Sequence, residues 1–132
     1  MADETRSPLE RGAMTIEAIG SAPFPPGRER FPALPPEQAD DVQRKVVEFC
    51  FGDTWGREGS HLDLKTRRLL TIAALVSQGK ERQLRNQIGG ALDQGITAEE
   101  VVETIVHLIA YVGFPAGLTG LEIANEVFAS RK

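Results

Sequence analysis

At 132 residues, with 41% hydrophobic and 26% charged side chains, the chain has the size and balance of one globular domain able to bury about two-thirds of its unfolded surface. A formal charge of −4 argues against nucleic acid and anionic membrane partners, which need a basic field. No apolar run approaches the ~20 residues that span a bilayer. The polar N-terminus has no hydrophobic export core, so a cytoplasmic location is expected. The single cysteine, Cys50, can form neither an internal disulfide nor a Cys-x-x-Cys pair.

All prolines except Pro115 lie at or before Pro36. That density predicts an N-terminal arm over residues 1–36, extended rather than helical, with about its first twenty residues poorly ordered. Phe24, Phe31 and Leu34 are its apolar anchors, and removal of the arm up to Ser21 is expected to leave helicity and melting largely intact.

From residue 37 to 132 the period is helical. Glu37 to about Phe51 places Ala39, Val42, Val46, Val47 and Cys50 on one face, followed by a glycine-rich loop from Gly52 to His61. Asp63 is the expected N-cap of a helix ending at Ser77 or Gln78 and closed by Gly79. Glu81 to Gln94 is amphipathic through Leu84, Ile88, Ala91 and Leu92. Thr97-Ala98-Glu99-Glu100 reads as a capping box for a helix over Ala98 to Val112. Gly113-Phe114-Pro115 then stops that helix and starts another, because Gly suits the left-handed end position and Pro suits the first turn. No segment alternates with a period of two, so the fold class is all-α.

Two of these helices, Leu64 to Gln78 and Ala98 to Val112, are apolar on nearly every side, more than one small core hides. A homo-oligomer is the expected solution.

Several ordered motifs carry a family resemblance over roughly Val46 to Phe128: Phe51-Gly52-Asp53-Thr54-Trp55, Leu62-Asp63-Leu64-Lys65-Thr66-Arg67, Gly90-Ala91-Leu92-Asp93-Gln94-Gly95, Thr97-Ala98-Glu99-Glu100 and Tyr111-Val112-Gly113-Phe114-Pro115-Ala116. The chain resembles the carboxymuconolactone decarboxylases and their relatives with the alkylhydroperoxidase D-like fold. The resemblance implies a helical bundle assembled as a trimer or hexamer, with active sites in pockets lined by these helices. The family's decarboxylases usually carry a Leu-His-x-Arg-Gly-Ala-Leu run, where this chain has Gln87 in place of the histidine and Gly89 in place of the arginine. Its peroxidase branch needs a Cys-x-x-Cys pair, which Cys50 cannot form, so peroxidase chemistry is not expected.

Glu103, His107 and Tyr111 recur every four residues and form one stripe on a helix expected to be buried. His107 reads either as a general acid/base oriented by Glu103 or as a core histidine bonded to a backbone carbonyl or across a subunit interface. Tyr111 is a packing residue or a substrate-binding one, next in line with Arg85 for the chemistry if His107 is only structural. Gln87 and Arg85 are candidate donors to a substrate oxygen, and Trp55 either anchors its loop or walls the pocket. Neither His61 nor His107 has a partner at zinc-like spacing, so no metal site is expected, nor is any other cofactor.

The expected function is therefore a cofactor-independent lyase acting on a small carbonyl acid or lactone, with proton transfer to a dienolate. The alternatives are a proton-transfer isomerase or cyclase of a secondary-metabolite pathway, and a non-catalytic oligomeric protein that binds a small molecule.

Overall fold

The computed structural model describes residues 5–21 and 24–131. Among them every regular element is helical. They form two compact units that part between His61 and Leu62, whereas the composition changes at Pro36. No helix among the described residues is long and apolar enough to cross a membrane.

The first unit holds α1 (Pro8–Ala18), α2 (Gly27–Arg30), α3 (Pro36–Lys45) and a π-helix (Val46–Trp55). Helices α1 and α2 stand within the stretch expected to be an extended arm, of which residues 1–4, 22 and 23 lie outside the described residues. The reason is where the prolines fall, not how many there are. Pro8 opens α1, where its missing N–H is not needed. The Ser7 hydroxyl accepts from the Glu10 N–H at 3.1 Å, and no proline follows until Pro23.

Helix α1 then packs backbone to backbone on the π-helix. A Cβ on Gly12 would lie 2.2 Å from the Val47 carbonyl oxygen, and one on Gly52 would lie 2.1 Å from that of Pro8. Arg11 pairs with Asp53 across this contact at 2.7 Å.

The expected loop after Phe51 is instead helical as far as Trp55, and the Gly56 N–H closes it on the Phe51 carbonyl at 2.8 Å, a five-residue step. The Phe51 ring meets Phe24 edge-on at 5.6 Å and Trp55 at 5.9 Å.

The second unit is a four-helix arrangement of α4 (Leu64–Gln78), α5 (Glu81–Asp93), α6 (Ala98–Val112) and α7 (Phe114–Ser130). Its boundaries follow local chemistry. Asp63 accepts from the Thr66 N–H at 2.7 Å, and the Thr66 hydroxyl first and this N–H second hold the Asp63 carboxyl below its ordinary value. Gly79 closes α4 with φ 67°. Thr97 and Glu100 satisfy each other's backbone N–H groups at the start of α6. Gly113 at φ 89° turns the chain into α7.

The core is built around Ile72, Ile88, Val101 and Ile105, all with no exposure, with Ile123 from α7. Gly117 lets α7 approach α6 closely, since its Cβ would lie 2.3 Å from the Ile109 side chain. The apolar excess read from the sequence remains on the surface of the single chain: Leu70, Val106, Phe114 and Leu118 are exposed.

Candidate active site

Helix α5 carries two consecutive glycines, Gly89 and Gly90, and each leaves room for a guanidinium group. A Cβ on Gly90 would stand 2.7–2.8 Å from three atoms of the Arg68 guanidinium, and one on Gly89 would stand 3.0 Å from Nη2 of Arg131. Arg68, on α4, is 2% exposed. Its Nη1 donates to Oε1 of Gln87 at 2.7 Å and its Nε donates to Oε1 of Gln94 at 3.1 Å. Gln87 and Gln94 lie seven residues apart and so share one face of the helix. Both are half-buried. Burial pushes Arg68 down to about 10, against the opposing pull of Asp93. Withdrawal from water disfavours the cation, and a nearby anion favours it.

Arg131 reaches back from the end of α7 to Asp93, with Nη1 2.5 Å from Oδ1 and Nη2 3.4 Å from Oδ2. That carboxylate holds Arg131 above its ordinary value.

The sequence candidates fall in different places. Gln87 belongs to this arginine site. Arg85 is two residues away, a spacing that turns side chains to different sides of a helix, and it donates to Glu126 of α7 at 2.6 Å. Glu103, His107 and Tyr111 form the anticipated stripe on α6, but the stripe faces outward in the single chain, not into the core. Tyr111 is 76% exposed, and its ring lies 5.3 Å from that of His107. Among the described residues no hydrogen bond joins Glu103 to His107. Trp55 is half-buried in the first unit against Phe51, where Arg11 also engages Asp53.

A cavity of about 440 Å³ between α4, α5 and α7 is lined by Leu75, Gln78, Leu84, Ala116, Thr119 and Ile123 among others, and by none of the candidates. The sequence reading passed over Arg68, Gln94 and Arg131. The adjacent glycines in mid-helix were the available signal, because such a pair costs helix stability unless something bulky must come close.

The profile of the carboxymuconolactone decarboxylase family matches residues 40–126. The chain belongs to that family. It is 38% identical to a 4-carboxymuconolactone decarboxylase of Acinetobacter baylyi over 67% of this chain and 64% of the relative. An uncharacterized 15.0 kDa protein of Paracoccus denitrificans, from the nqo9-nqo10 intergenic region, is 41% identical over 80% of both chains. A nitrosuccinic acid decarboxylase of Metarhizium robertsii is 30% identical over 64% of this chain and 57% of the relative. The chain thus spans less than two-thirds of the length of either decarboxylase.

Proposed function

We propose that the protein is a decarboxylase-type lyase for a small carboxylic acid that carries its own electron sink, a carbonyl or an equally electron-accepting group. The bond from carbon to the departing carboxylate breaks, and its electron pair moves into the sink, giving an enolate or dienolate and CO2. A proton then returns to carbon. The substrate itself supplies the electron sink, so this chemistry needs no cofactor. The protein's tasks are to bind the anion, stabilise the charge that develops on oxygen, and deliver the proton.

The observation that carries the reading is the Arg68 guanidinium, buried behind the half-buried amide of Gln87. It gives a positive potential and a hydrogen-bond donor where an anionic oxygen can meet them. Membership in a family with two decarboxylase relatives adds support. Gln87 cannot exchange a proton near neutral pH, so the proton donor must be another group. We assign that role to His107, with Glu103, one turn before it on the same stripe, as the carboxylate that would orient it once a neighbouring copy covers α6.

The exposed stripe and the apolar residues around it favour a homo-oligomer, a trimer or hexamer, in which a neighbouring copy covers α6 and makes His107 part of an enclosed site. The test is CO2 release from 4-carboxymuconolactone and from nitrosuccinate. Turnover of either, or of a related unsaturated acid, supports the reading. If these acids bind and none loses CO2, an isomerase, a cyclase or a binding protein is the better description.

A further inference from the structure

The cavity of about 440 Å³ between α4, α5 and α7 stands apart from the arginine site, since none of Arg68, Gln87, Asp93, Gln94 and Arg131 lines it. Its size falls in the range of small-molecule pockets, roughly 300–1,000 Å³, which are mostly apolar with a few polar groups that fix orientation. Val76, Leu84 and Ile123, each 2–3% exposed, form its apolar floor. The polar residues that line it are Ser77, Gln78, Glu81 and Thr119. In the second unit Thr71, Ser77, Thr104 and Ser130 turn their hydroxyls onto carbonyls of the preceding turn at 2.7–2.9 Å. Thr66 and Thr97 engage theirs at helix starts. The half-buried Thr119 hydroxyl, by contrast, makes no hydrogen bond among the described residues. At the end of α4 the Gly79 and Lys80 N–H groups donate to the Val76 and Leu75 carbonyls at 3.2 and 3.1 Å. The Ser77 and Gln78 carbonyls accept from no backbone group among the described residues, and such helix-end oxygens carry partial negative charge. Glu81 is the charged residue that lines the cavity, and among the described residues it makes no ion pair.

We propose that this cavity binds a small amphipathic amine, with the protonated nitrogen drawn to Glu81 and the apolar body laid on Val76, Leu84 and Ile123. The site goes beyond the decarboxylase reading and does not depend on it. Ser77, Gln78 and Glu81 belong to the tight turn between α4 and α5, so their negative charge gathers on one side of the cavity. An ammonium group has three donors and no acceptor, which matches a carboxylate, two helix-end carbonyls and the Thr119 hydroxyl. An anion fits less well. Glu81 and Ala116 stand in the first turns of α5 and α7, whose N–H groups favour negative charge, but an anion would share the cavity with the Glu81 carboxylate. Lys80 and Arg82 adjoin Glu81 in sequence, and neither lines the cavity. A neutral molecule of the same shape gains the apolar contact alone, so charge is what separates an amine from its neutral isostere.

Benzylamine, benzyl alcohol and benzoate share one apolar body and are the probes, used at neutral pH on the full-length protein in the assembly it forms. In 1H–15N spectra, benzylamine at roughly 10 mM, where a millimolar binder is largely occupied, is expected to shift the backbone amides of Gln78, Gly79, Glu81 and Thr119. It is expected to bind about three- to fivefold more tightly than benzyl alcohol, the upper range for an ion pair open to water, and benzoate to bind more weakly than either. Glu81→Gln, a change at an exposed position, should abolish the preference for the amine over the alcohol. Ala116→Leu, which fills the cavity, should weaken benzylamine at least about tenfold through loss of the apolar contact. No shift at these amides, benzyl alcohol or benzoate bound as tightly as benzylamine, or an unchanged preference in Glu81→Gln each overturns the proposal. Benzylamine affinity unchanged in Ala116→Leu overturns it as well, because the amine would then sit elsewhere. The ranking of the three probes on the unmodified protein decides the matter even where Ala116→Leu fails to fold.

Discussion

Alanine at Gly89 and alanine at Gly90 are expected to move stability in opposite directions, although the positions are adjacent. At Gly89 the new Cβ would lie 3.0 Å from Nη2 of Arg131. That side chain is 40% exposed, so it can yield outward, and the gain is the helix preference of alanine over glycine, about 0.8–1.0 kcal/mol. At Gly90 the nearest atoms are Nη1 at 2.7 Å and Cζ and Nη2 at 2.8 Å, all of Arg68, where ordinary contact begins at 3.4 Å. The guanidinium must retreat by about 3.4 − 2.8 = 0.6 Å from Cζ in a buried setting, while it is tied to Gln87 and Gln94. A hydrogen bond to a charged group contributes about 1.5–3 kcal/mol. Loss of roughly half of two such bonds outweighs the alanine gain and leaves a net cost of about 1–2 kcal/mol. Urea denaturation is the assay, and the two variants should differ by about 2–3 kcal/mol. Arg68→Met should abolish the cost of Gly90→Ala, the coupling expected of residues in contact. Gly90→Ala as stable as Gly89→Ala, or equally costly with and without Arg68, would refute the reasoning.

Deleting residues 1–21 removes α1 and its glycine-mediated seat on the π-helix, so thermal melting followed by circular dichroism should show a clear loss of stability, the reverse of what the proline count suggests. Glu100 is held below the ordinary glutamate value, first by Lys65 and then by the Thr97 backbone N–H. Its contribution to stability is complete above the unfolded glutamate value and is lost as the pH falls through the lowered one, so Glu100→Gln should flatten the acid limb of a stability–pH curve. His107→Gln should leave the melting temperature of the folded subunit nearly unchanged, because the side chain is exposed. If His107 is the proton donor, turnover should fall by roughly 10²–10⁴. Light scattering that returned only the 14.4 kDa mass of one chain would remove the proposed oligomer and, with it, the enclosed setting for His107.

The second unit was legible because its helix ends are set by side chains next to the backbone they cap. Asp63, Gly79, the Thr97–Glu100 pair and Gly113-Phe114-Pro115 each mark a boundary that needs no tertiary information. The first unit was not. The π-helix depends on α1 pressing against it at Gly12 and Gly52, a contact between segments distant in sequence, and a proline count says nothing of where the prolines stand relative to Ser7. The α6 stripe is present as a stripe and faces outward in the single chain, which the sequence did not show, since a helix apolar on most sides does not reveal which side its own chain covers. Arg68 was hidden within Lys65-Thr66-Arg67-Arg68, a polar first turn whose members look alike until packing draws one inward.

The departures at Gln87 and Gly89 from the family's usual histidine and arginine are physically linked to the arginines around them. A histidine at 87 beside the Arg68 guanidinium would have its charged form disfavoured by burial and by a like charge, leaving it a poor proton donor. A glutamine there accepts from the same guanidinium without competing for a proton. The Arg68 guanidinium fits only because residue 90 has no side chain, and Arg131 lies over α5 where residue 89 has none, near enough that a Cβ there would push it outward. Positive charge is therefore retained at this face of α5, but it arrives from α4 and from the end of α7. On the proposed function, the residues that would hold an anion are not those that would move a proton, and the proton carrier has to be sought on another helix.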